Sequence, residues 1–488
     1  MRALMVLGTG SGVGKSFITA GLLRILAGMG VKAAPFKAQN MALNSFITRD
    51  GGEIGRAQAL QAEAARCEPL TDMNPVLLKA TGEAGSQVII NGRVHANMSA
   101  KEYYAFREEA WEAVKEAYAR LSAQFEAIVM EGAGSPAEIN LMDKDIVNMR
   151  MARHAGAGVL LVGDIDRGGV FASLFGTISL LEKDRDLIKG FIINKFRGDA
   201  DILAPGLRML REKTGVPPLG VLPYMKTCLS EEDSLCLDSK KTRGAAGIRI
   251  VVVRNGFISN FTDFEPLALE PDVELIYSAR AGDIEGADLI ILPGSKNTSM
   301  DLFALRESGV EESIRRAVRK GVPLIGICGG FQMLGTVIKD PGGVESGLKE
   351  IKGMGLLDIE TVLEKTKVTS QVEAYPMAAK DEKLSGYEIH MGVSTGDMGL
   401  FRLKRLASGE DFLLDGSRKG NVWGTYIHGI FDNDRLRGKL LNEIRAANGL
   451  PECPPVNYRA LTDEAIDALA EVIRANLDMK YIEGLLHV

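Results

Sequence analysis

The stretch Ala3-Leu-Met-Val-Leu-Gly-Thr-Gly-Ser-Gly-Val-Gly-Lys-Ser16 joins a short apolar segment to a glycine-rich loop, and a helical pattern follows it. A strand, a glycine loop and a helix in this order are the context of a P-loop, which binds nucleotide phosphates. The glycines, among them Gly12 and Gly14, let backbone N–H groups approach phosphate oxygens, and Lys15 can reach the β- and γ-phosphates. The hydroxyl of Ser16 can bind Mg²⁺. This stretch therefore predicts an ATP site with a magnesium ion.

Further apolar segments of the first part end in polar side chains that suit such a site. Glu131 ends one of them, where its carboxylate can hold Mg²⁺ together with Ser16. Asp166 follows another, and its carboxylate can serve a metal or a substrate. Asn194 closes a third, a position from which an amide can recognise a purine base. A solvated acid at a strand end is the alternative for Glu131 and Asp166, and the sequence leaves it open.

The first part of the chain alternates short apolar segments with helical patterns. Near-continuous apolar segments predict strands that are buried on both faces of a sheet. The predicted strands are 4–7, 31–36, 127–130, 158–162, 190–193 and 219–222. The predicted helices between them include 15–29, 101–124 and 199–213. This alternation predicts an α/β domain with a parallel sheet covered by helices on both faces.

The alternation stops and then starts again. The polar and charged stretch 226–247 predicts an interdomain linker. After it come predicted strands at 248–253, 273–277, 289–292 and 323–327 and a helix at 311–320, and the stretch 462–485 predicts one amphipathic helix. We therefore expect a P-loop domain at 1–225, the linker at 226–247, a second α/β domain at 248–440 and a helical tail at 441–488.

The composition limits the kinds of partner and the cell compartment. A chain of 488 residues exceeds what one hydrophobic core usually supports, which favours two domains. The net charge of -6 argues against general nucleic-acid binding but is compatible with small anionic substrates. Five irregularly spaced cysteines, with no signal peptide and no apolar stretch of membrane-spanning length, predict a cytoplasmic protein. The oligomeric state stays open.

A second kind of site is predicted around Gly326-Ile-Cys-Gly-Gly330. Cys328 lies between an apolar strand and a helical pattern, and the flanking glycines permit the sharp turn that exposes a nucleophile. The N-terminus of the following helix favours the thiolate form of a cysteine. Backbone N–H groups of Gly329 and Gly294 can form an oxyanion hole for a tetrahedral intermediate. The other cysteines have no such setting, so we expect them to be structural.

A nucleophilic cysteine needs a base from elsewhere in the chain. Among the five histidines, His428 follows the strand-like segment 422–427 and precedes a glycine, a place from which it can face the turn. His390, in Gly386-Tyr-Glu-Ile-His-Met-Gly392, is the competing candidate. We favour His428 as the base and expect a binding or structural role for His390. A cysteine with such a base can release ammonia from the amide of glutamine.

Segments along the whole chain make the sequence recognisable. They are 8–16, Phe36-Lys-Ala-Gln-Asn-Met-Ala-Leu-Asn-Ser45, Glu53-Ile-Gly-Arg-Ala-Gln58, Met73-Asn-Pro-Val-Leu-Leu-Lys79, 131–141, 166–173, 328–334 and 424–431. In these segments the chain resembles the cobyric acid synthase family, the glutamine-dependent amidases of the cobalamin pathway, nearly from end to end. The resemblance implies an N-terminal domain like dethiobiotin synthetase and a C-terminal class I glutamine amidotransferase domain.

The resemblance also implies a substrate and the roles of two residues. The substrate is adenosylcobyrinic acid a,c-diamide, whose b, d, e and g carboxylates become amides. Cys328 is the nucleophile and His428 is its partner. The wider amidotransferase class has a glutamate two residues after this histidine, where the present chain has Ile430, so the group that orients His428 stays open.

The reaction so implied couples two sites. ATP activates a carboxylate as an acyl phosphate, because a carboxylate is a poor acceptor of an amine, and ammonia from glutamine then displaces the phosphate. The segment 36–45 follows the second predicted strand, and it is the candidate for substrate contact near the γ-phosphate. Its polar side chains Lys37, Gln39 and Asn40 are the predicted contacts.

Two other interpretations stay open. The sister enzyme that amidates the a and c carboxylates of cobyrinic acid has the same architecture, although the segments 36–45 and 131–141 favour the first interpretation. A P-loop regulatory or partitioning ATPase with an inert amidotransferase-like appendage belongs to another functional class. The intact turn around Cys328 and the presence of His428 weigh against it.

Overall fold

The structure is a computed structural model, and it describes residues 2–80, 85–225, 247–408 and 411–487. Contacts between Cα atoms divide the chain into two compact units. Unit 1 consists of Met1–Ala42, Ile54–Asp233 and Thr462–Val488, and unit 2 consists of Leu43–Glu53 and Ser234–Leu461. The predicted linker 226–247 lies, apart from Gly247, outside the described residues.

Unit 1 is built on a parallel sheet of six strands. In spatial order the strands are Pro218–Pro223, Ile188–Phe196, Gly158–Asp164, Arg2–Gly8, Ala127–Glu131 and Ala33–Phe36. Every neighbouring pair is parallel. Leu4 and Val6 pack into one buried apolar cluster, whereas Met5 and Leu7 pack into another. Because successive side chains of a strand point to opposite faces, both faces of the sheet are covered, which confirms the predicted α/β class.

Helices and short 3₁₀ turns complete the layers of unit 1. The helices are Lys15–Gly28, Arg56–Ala64, Ala100–Ser122, Met149–Ala155, Val170–Leu180, Ala200–Thr214, Tyr458–Asn476 and Met479–Leu486. The 3₁₀ turns are Thr71–Met73, Met142–Lys144 and Glu182–Leu187. A smaller sheet, which the sequence analysis does not predict, contains Gln39–Met41, Val76–Ala80, Gly85–Ile90 and Arg93–Ser99 in that order.

The prediction of one long C-terminal helix at 462–485 is wrong, because two helices occupy this region. The chain leaves helical geometry after Asn476, where Leu477 pairs with Gly220 at the edge of the sheet. The Asp478 N–H donates to the Leu219 carbonyl (2.8 Å), and the Asp478 side chain caps the second helix by accepting from the Tyr481 N–H (3.0 Å). Bonding to the sheet edge and a good N-cap together favour a break over a continuous helix.

The stretch predicted as a separate tail, 441–488, is divided between the two units. Its first part continues the helix Asp434–Ala447, which belongs to unit 2. From Thr462 onward the chain belongs to unit 1. The side chains of Ile466, Ile473 and Ile482 lie in the same apolar cluster as Leu4 and Val6. The end of the chain is therefore a component of the core of unit 1.

Unit 2 contains a second α/β sheet. In spatial order its strands are Val273–Ser278, Ile248–Val253, Leu289–Leu292, Leu324–Ile327, Val422–Thr425 and Ser417–Lys419. The first five are parallel and the last is antiparallel. Its helices are Glu265–Ala268, Ala281–Glu285, Thr298–Glu307, Val310–Arg319, Gly329–Leu334 and Asp434–Ala447, with 3₁₀ turns at Phe261–Phe264 and Ile430–Asp432.

Unit 2 also carries a largely antiparallel sheet that the sequence analysis does not predict. Its path is Glu350–Lys352, Val337–Lys339, Ile359–Pro376, Phe401–Arg405 and Leu413–Asp415, and Leu384–Gly396 pairs with Ile359–Pro376. A separate two-stranded ladder joins Ile258–Ser259 to Gly294–Ser295. The strand Leu384–Gly396 carries His390, so this sheet contributes to the surroundings of the predicted site.

The segment Leu43–Glu53 belongs to unit 2 although it lies early in the sequence. It contains the strand Ser45–Ile47, and the chain returns to unit 1 within the strand Glu53–Gly55. Three contacts hold it on the long strand Ile359–Pro376. Lys367 Nζ pairs with Glu53 Oε2 (2.5 Å), Thr369 Oγ1 donates to the Gly51 carbonyl (2.8 Å) and Gln371 Nε2 donates to the Ile47 carbonyl (2.9 Å).

The helices of the described residues show no candidate membrane span. Within the residues that the structure describes, none of them combines the length and the apolar character that crossing a bilayer requires.

Candidate active sites

Cys328 lies at a strained turn between the strand Leu324–Ile327 and the helix Gly329–Leu334. Its backbone has φ 52° and ψ -108°, a left-handed φ that a residue with a Cβ rarely adopts. The Cys328 N–H donates to the Thr425 carbonyl (2.9 Å), which ties the turn to the neighbouring strand. Strain of this kind is typical of a nucleophile elbow, where the side chain is lifted out of the sheet.

The glycines around Cys328 are required by close backbone contacts. A Cβ on Gly330 would lie 2.0 Å from the Leu292 carbonyl oxygen, and one on Gly326 would lie 2.7 Å from the Gly330 carbonyl oxygen. A Cβ on Gly329 would lie 2.8 Å from the Ser295 backbone nitrogen. Since these neighbours are backbone atoms, a larger residue could not be accommodated by rotation of a side chain. The helix is therefore packed directly against the sheet behind the cysteine.

His428 is held by a carboxylate that the sequence analysis does not identify. Its Nδ1 lies 2.6 Å from Asp263 Oδ2, and the Gly429 N–H donates to Asp263 Oδ1 (3.1 Å). His428 and Asp263 are both almost fully buried. The ring of Tyr387 stacks on the ring of His428, with a centroid distance of 5.2 Å and an interplanar angle of 15°. Asp263 therefore fixes the orientation of the imidazole through Nδ1.

The charge of Asp263 governs the protonation of His428. Burial of the ring disfavours its charged form, but the Asp263 carboxylate outweighs burial, Cys328 adds to its effect, and together they raise the pKa of His428 to about 10. Nε2 is buried and has no hydrogen-bond partner within the described part of the chain. This nitrogen is thus the one through which an imidazolium can serve a reaction at Cys328.

Asp263 replaces the missing glutamate of the wider class. Ile430 occupies the glutamate position, and its side chain is fully buried in the apolar core of unit 2. Asp263 comes instead from the 3₁₀ turn Phe261–Phe264, which follows the strands Ile248–Val253 and Ile258–Ser259 along the chain. The sequence signal for Asp263 is its position between Phe261 and Phe264, because an acid that is buried together with such neighbours needs a partner.

His390 is engaged at both ring nitrogens and cannot take the same role. Nδ1 lies 2.8 Å from the Gly392 carbonyl oxygen, and Nε2 lies 3.1 Å from Glu388 Oε1. Burial works against ionisation of Glu388, but His390 and Arg405 lower the pKa of this carboxyl to about 2. The imidazole also stacks on Tyr426, with ring centroids 3.9 Å apart. These contacts support a structural role for His390 and leave His428 as the candidate base.

The two glycines predicted for the oxyanion hole lie beside the candidate catalytic residues. A Cβ on Gly294 would be 3.3 Å from His428 Cε1, and the backbone of Ser295 is close to Gly329. The N–H groups at the start of the helix after Cys328 point out of its N-terminus, as in any α-helix. Their role in binding an oxyanion remains a prediction.

The glycine-rich loop of unit 1 has the backbone geometry of a phosphate-binding loop. Gly12 and Gly14 have φ values of 70° and 98°. Lys15 Nζ donates to the carbonyl of Gly10 within the loop (2.8 Å) and to the carbonyl of Gly134 outside it (3.2 Å). Lys15 is therefore directed over the loop, where it can meet phosphate oxygens.

The side chain of Asn194 contacts the glycine-rich loop. Its Nδ2 donates to the Val13 carbonyl (2.9 Å), and a Cβ on Gly14 would lie 2.2 Å from the same nitrogen. Lys195, the next residue, donates to the Gly12 carbonyl (2.6 Å). These two residues support the conformation of the loop from the end of the strand Ile188–Phe196. Recognition of a purine by Asn194 remains a prediction.

Glu131 is the centre of a buried polar cluster next to the loop. Its carboxylate accepts from Ser16 Oγ (2.9 Å), Lys37 Nζ (3.0 Å) and Gln61 Nε2 (2.5 Å). Burial opposes ionisation of Glu131, but Lys37, Gln61 and Lys15 outweigh it and hold the pKa of this carboxyl below its usual value. The cluster brings together three residues that the sequence analysis predicts for metal or substrate binding.

The residues of this cluster fit a hard cation such as Mg²⁺. A hydroxyl and an ionised carboxylate are oxygen ligands of the kind that Mg²⁺ prefers. The side-chain oxygen of Gln61 is buried without a hydrogen-bond partner in the described part of the chain, so an acceptor is left over beside Glu131. No group of three or more His, Cys, Asp and Glu side chains suited to a metal occurs among the described residues. A cation here would thus depend on water and phosphate for its other ligands.

The remaining predicted substrate residues form hydrogen bonds or ion pairs with side chains other than Glu131. Gln39 Oε1 accepts from the Tyr103 hydroxyl (2.5 Å), and buried Asn40 donates to Gln58 Oε1 (2.9 Å). Asp166 is exposed and pairs with Arg197 (3.1 Å). Only Lys37 of this set contacts Glu131. Substrate contact by the other three stays a prediction.

Comparison with known families assigns a class to each unit. The model of the CobB/CobQ-like glutamine amidotransferase domain matches residues 249–436, and that of the CobQ/CobB/MinD/ParA nucleotide binding domain matches residues 4–234. The fold and the two sites thus define an enzyme in which a P-loop nucleotide-binding domain is fused to a glutamine amidotransferase domain.

Full-length relatives place the chain more narrowly. Cobyric acid synthase of Thermodesulfovibrio yellowstonii is 49% identical over 489 residues, which cover 99% of this chain and 98% of the relative. Cobyric acid synthase of Clostridium tetani is 49% identical over 488 residues, with the same coverage. The chain belongs to the cobyric acid synthase family.

Similarity to solved structures is much lower. The structure described as "Crystal structure of glutamine amidotransferase" shares 19% sequence identity and has a TM-score of 0.28, and the match covers 42% of this chain and 100% of that one. At this score the likeness supports no conclusion about the site.

Proposed function

We propose that the protein amidates the b, d, e and g carboxylates of adenosylcobyrinic acid a,c-diamide, using glutamine and ATP and forming adenosylcobyric acid. The observation that carries the proposal is the buried pair His428–Asp263 beside the strained turn of Cys328, in a chain that also holds a P-loop. The chain is 49% identical to cobyric acid synthases over nearly its full length, and this similarity supports the choice of substrate.

The geometry of unit 2 supports a glutaminase reaction at Cys328. The Cys328 sulfur attacks the amide carbon of glutamine, and His428 donates the proton that lets ammonia leave. Asp263 stabilises the imidazolium and keeps Nε2 turned toward the reacting atoms. Water then hydrolyses the glutamyl thioester, which releases glutamate and restores the thiol. Backbone N–H groups of Gly294 and Gly329 are the proposed donors to the oxyanion.

The synthetase reaction is assigned to unit 1. Gly12, Gly14 and Lys15 bind the phosphates of ATP, and the γ-phosphoryl group moves to a corrinoid carboxylate to form an acyl phosphate. Ammonia attacks the acyl carbon, and phosphate leaves. Mg²⁺ held by Ser16 and Glu131 would neutralise charge on the phosphates.

Lys37 has a specific part in this scheme. In the structure its ammonium group offsets the buried charge of Glu131 (3.0 Å). Once a cation is bound to Glu131, the same ammonium is available to an anionic carboxylate or acyl phosphate. We therefore propose Lys37 as the contact to the substrate group that is being activated. Small-molecule substrates and a cytoplasmic location complete the proposal.

The division of labour can be tested with Cys328→Ala. This variant should lose synthesis from glutamine but keep synthesis from free ammonium, because the ATP site is untouched. Lys15→Ala should lose both. Product mass after incubation with the a,c-diamide identifies the number of amidations. Equal loss of both activities in Cys328→Ala would contradict the proposal, and product formed only from cobyrinic acid would favour the a,c-diamide synthase instead.

A further inference from the structure

We propose that Tyr387 is a positioning residue for the His428–Asp263 pair, and that the segment Leu43–Glu53 fixes the direction of its hydroxyl group. This role depends on the glutaminase activity proposed above. The proposal is based on the Tyr387 hydroxyl, which lies within hydrogen-bonding distance of Asn260, the Ser45 carbonyl and Asp263.

Tyr387 holds His428 by its backbone and by its ring. The Tyr387 N–H donates to the His428 carbonyl (3.1 Å), and the His428 N–H donates to the Tyr387 carbonyl (2.8 Å). The two rings are nearly parallel, with centroids 5.2 Å apart. Both residues are more than nine-tenths buried. The plane of the imidazole is therefore set by Tyr387, and its rotation within that plane is set by Asp263.

The Tyr387 hydroxyl has more acceptors within reach than it has protons. It accepts from Asn260 Nδ2 (2.8 Å), and it lies 3.2 Å from the Ser45 carbonyl oxygen and 3.5 Å from Asp263 Oδ1. A phenol has one proton, so it can donate to only one of these two oxygens at a time. The shorter distance favours the Ser45 carbonyl. Donation there leaves the charge of Asp263 directed toward His428.

Asn260 links this hydroxyl to the turn that carries Asp263. It has a left-handed backbone (φ 51°, ψ 41°), a conformation that asparagine tolerates better than most residues. Its carbonyl accepts from the Asp263 N–H (3.0 Å), while its side chain donates to Tyr387. A change at the hydroxyl is thus transmitted to the backbone that positions the carboxylate.

The position of the Ser45 carbonyl is set by the anchors of its segment. Gln371, Thr369 and Lys367 bind three points between Ile47 and Glu53. The Phe46 ring also lies 6.1 Å from the Tyr387 ring. If the segment withdraws, the hydroxyl loses its nearer acceptor and turns to Asp263 Oδ1. The carboxylate then becomes a weaker partner for the imidazolium, so a movement of this segment would lower glutaminase activity.

Tyr387→Phe tests the positioning role. Glutamate release should show kcat about tenfold lower with the KM for glutamine unchanged, because the Asn260 side chain loses the Tyr387 hydroxyl as an acceptor and the turn that positions Asp263 is loosened. The ratio of glutamine- to ammonium-supported synthesis should fall by the same factor. Tyr277→Phe is the matched control, since the Tyr277 hydroxyl donates to the Phe261 carbonyl (3.1 Å) of the same turn. An equal loss in the control, or wild-type kcat in Tyr387→Phe, overturns the proposal.

Gln371→Met tests the role of the segment Leu43–Glu53. It also serves as the test of the proposal if Tyr387→Phe does not fold. It removes one anchor of the segment, and kcat for glutamate release should fall about threefold with KM unchanged. The double variant should be no worse than Tyr387→Phe alone, because both changes act through one hydroxyl. Unchanged kcat in Gln371→Met, or full additivity, overturns the proposal.

The same assay separates this role from the proposed function. Glutamate release that persists in Cys328→Ala would contradict the proposed function itself. If glutamate release is lost in Cys328→Ala but is unchanged in Tyr387→Phe, only the positioning role is contradicted.

Discussion

Asp263 and His428 form a buried pair in which each residue compensates for the other. Their side chains are 2.6 Å apart, and neither is exposed to water by more than a few per cent. An isolated charge at this depth would be costly, whereas a hydrogen-bonded pair is tolerated. The carboxylate therefore both stabilises the protonated imidazole and engages Nδ1, while Nε2 has no hydrogen-bond partner among the described residues.

Asp263→Asn should lower the kcat for glutamate release by about 10²–10⁴-fold, the range for loss of acid–base catalysis. The neutral amide neither stabilises an imidazolium nor selects the same tautomer. Steady-state kinetics with glutamine measure the effect, and Asp381→Asn at an exposed position serves as the control. A kcat within twofold of wild type would show that another group orients His428.

The same pair predicts how stability depends on pH. The pKa of His428 rises from 6.5 to about 10 on folding, so the folded protein holds this proton more tightly than the unfolded chain. The stabilisation is present in full below pH 6.5 and is lost as pH rises toward 10. Melting temperature should therefore fall over this window, and less steeply in Asp263→Asn. Parallel curves for the two proteins would contradict the assigned pairing.

At the scale of single elements, close packing restricts the sequence of the short helix Gly329–Leu334. The helix packs so closely against Leu292 that a Cβ on Gly330 would lie 2.0 Å from the Leu292 carbonyl oxygen. The elbow can place Cys328 only if this helix stays against the sheet. Gly326, Gly329 and Gly330 are thus required by close packing around Cys328, since none of the three has a positive φ.

Gly330→Ala should destabilise the protein by about 1–3 kcal/mol, the cost typical of overpacking. The glutaminase kcat should fall as well, because the turn must shift. Gly282→Ala is the control, since it also lies in a short helix of unit 2 but a Cβ there meets nothing within 4 Å. Denaturant unfolding of both variants measures the difference. Equal stability of the two would show that the helix has room to move.

At the scale of the whole molecule, the chain contributes to each unit from distant parts of the sequence. Leu43–Glu53 belongs to unit 2, and Thr462–Val488 belongs to unit 1. In unit 1, buried Arg24 binds Asp463 (2.5 Å) and Asp467 (3.1 Å), and a Cβ on Gly21 would meet Ile473 at 2.3 Å. The helix that follows the P-loop is therefore covered by the C-terminal helices.

Truncation after Leu461 should abolish the stability of unit 1. Among the described residues it removes six large apolar side chains that are buried, namely Ile466, Leu469, Ile473, Leu477, Ile482 and Leu486, together with buried Ala470. At about 1.5–3 kcal/mol each, their burial matches or exceeds the typical stability of a domain. Nucleotide binding and limited proteolysis measure the loss, and removal of residues 487–488 alone is the control. Normal ATP binding by the truncated chain would contradict this assignment.

Local patterns predicted the α/β class, the strand order along the chain and the catalytic turn. Each rests on contiguous residues. The apolar strands are buried on both faces, and the glycines around Cys328 lie close to backbone atoms. Gly12 and Gly14 have a positive φ, and their loop follows the strand Arg2–Gly8. The choice of His428 over His390 also agrees with the hydrogen bonds of the structure, since only His390 has both nitrogens occupied.

The sequence by itself determined the class of each unit and the positions of the turn at Cys328 and the glycine-rich loop, because those features are encoded within a few neighbouring residues. Only the tertiary structure decided which carboxylate orients His428, where Leu43–Glu53 belongs and how the C-terminal helix breaks. Asp263 and His428 are separated by 165 positions, and the Ser45 carbonyl lies 342 positions before Tyr387. Contacts at such separations leave no periodic pattern in the sequence, so they emerge only when the chain folds.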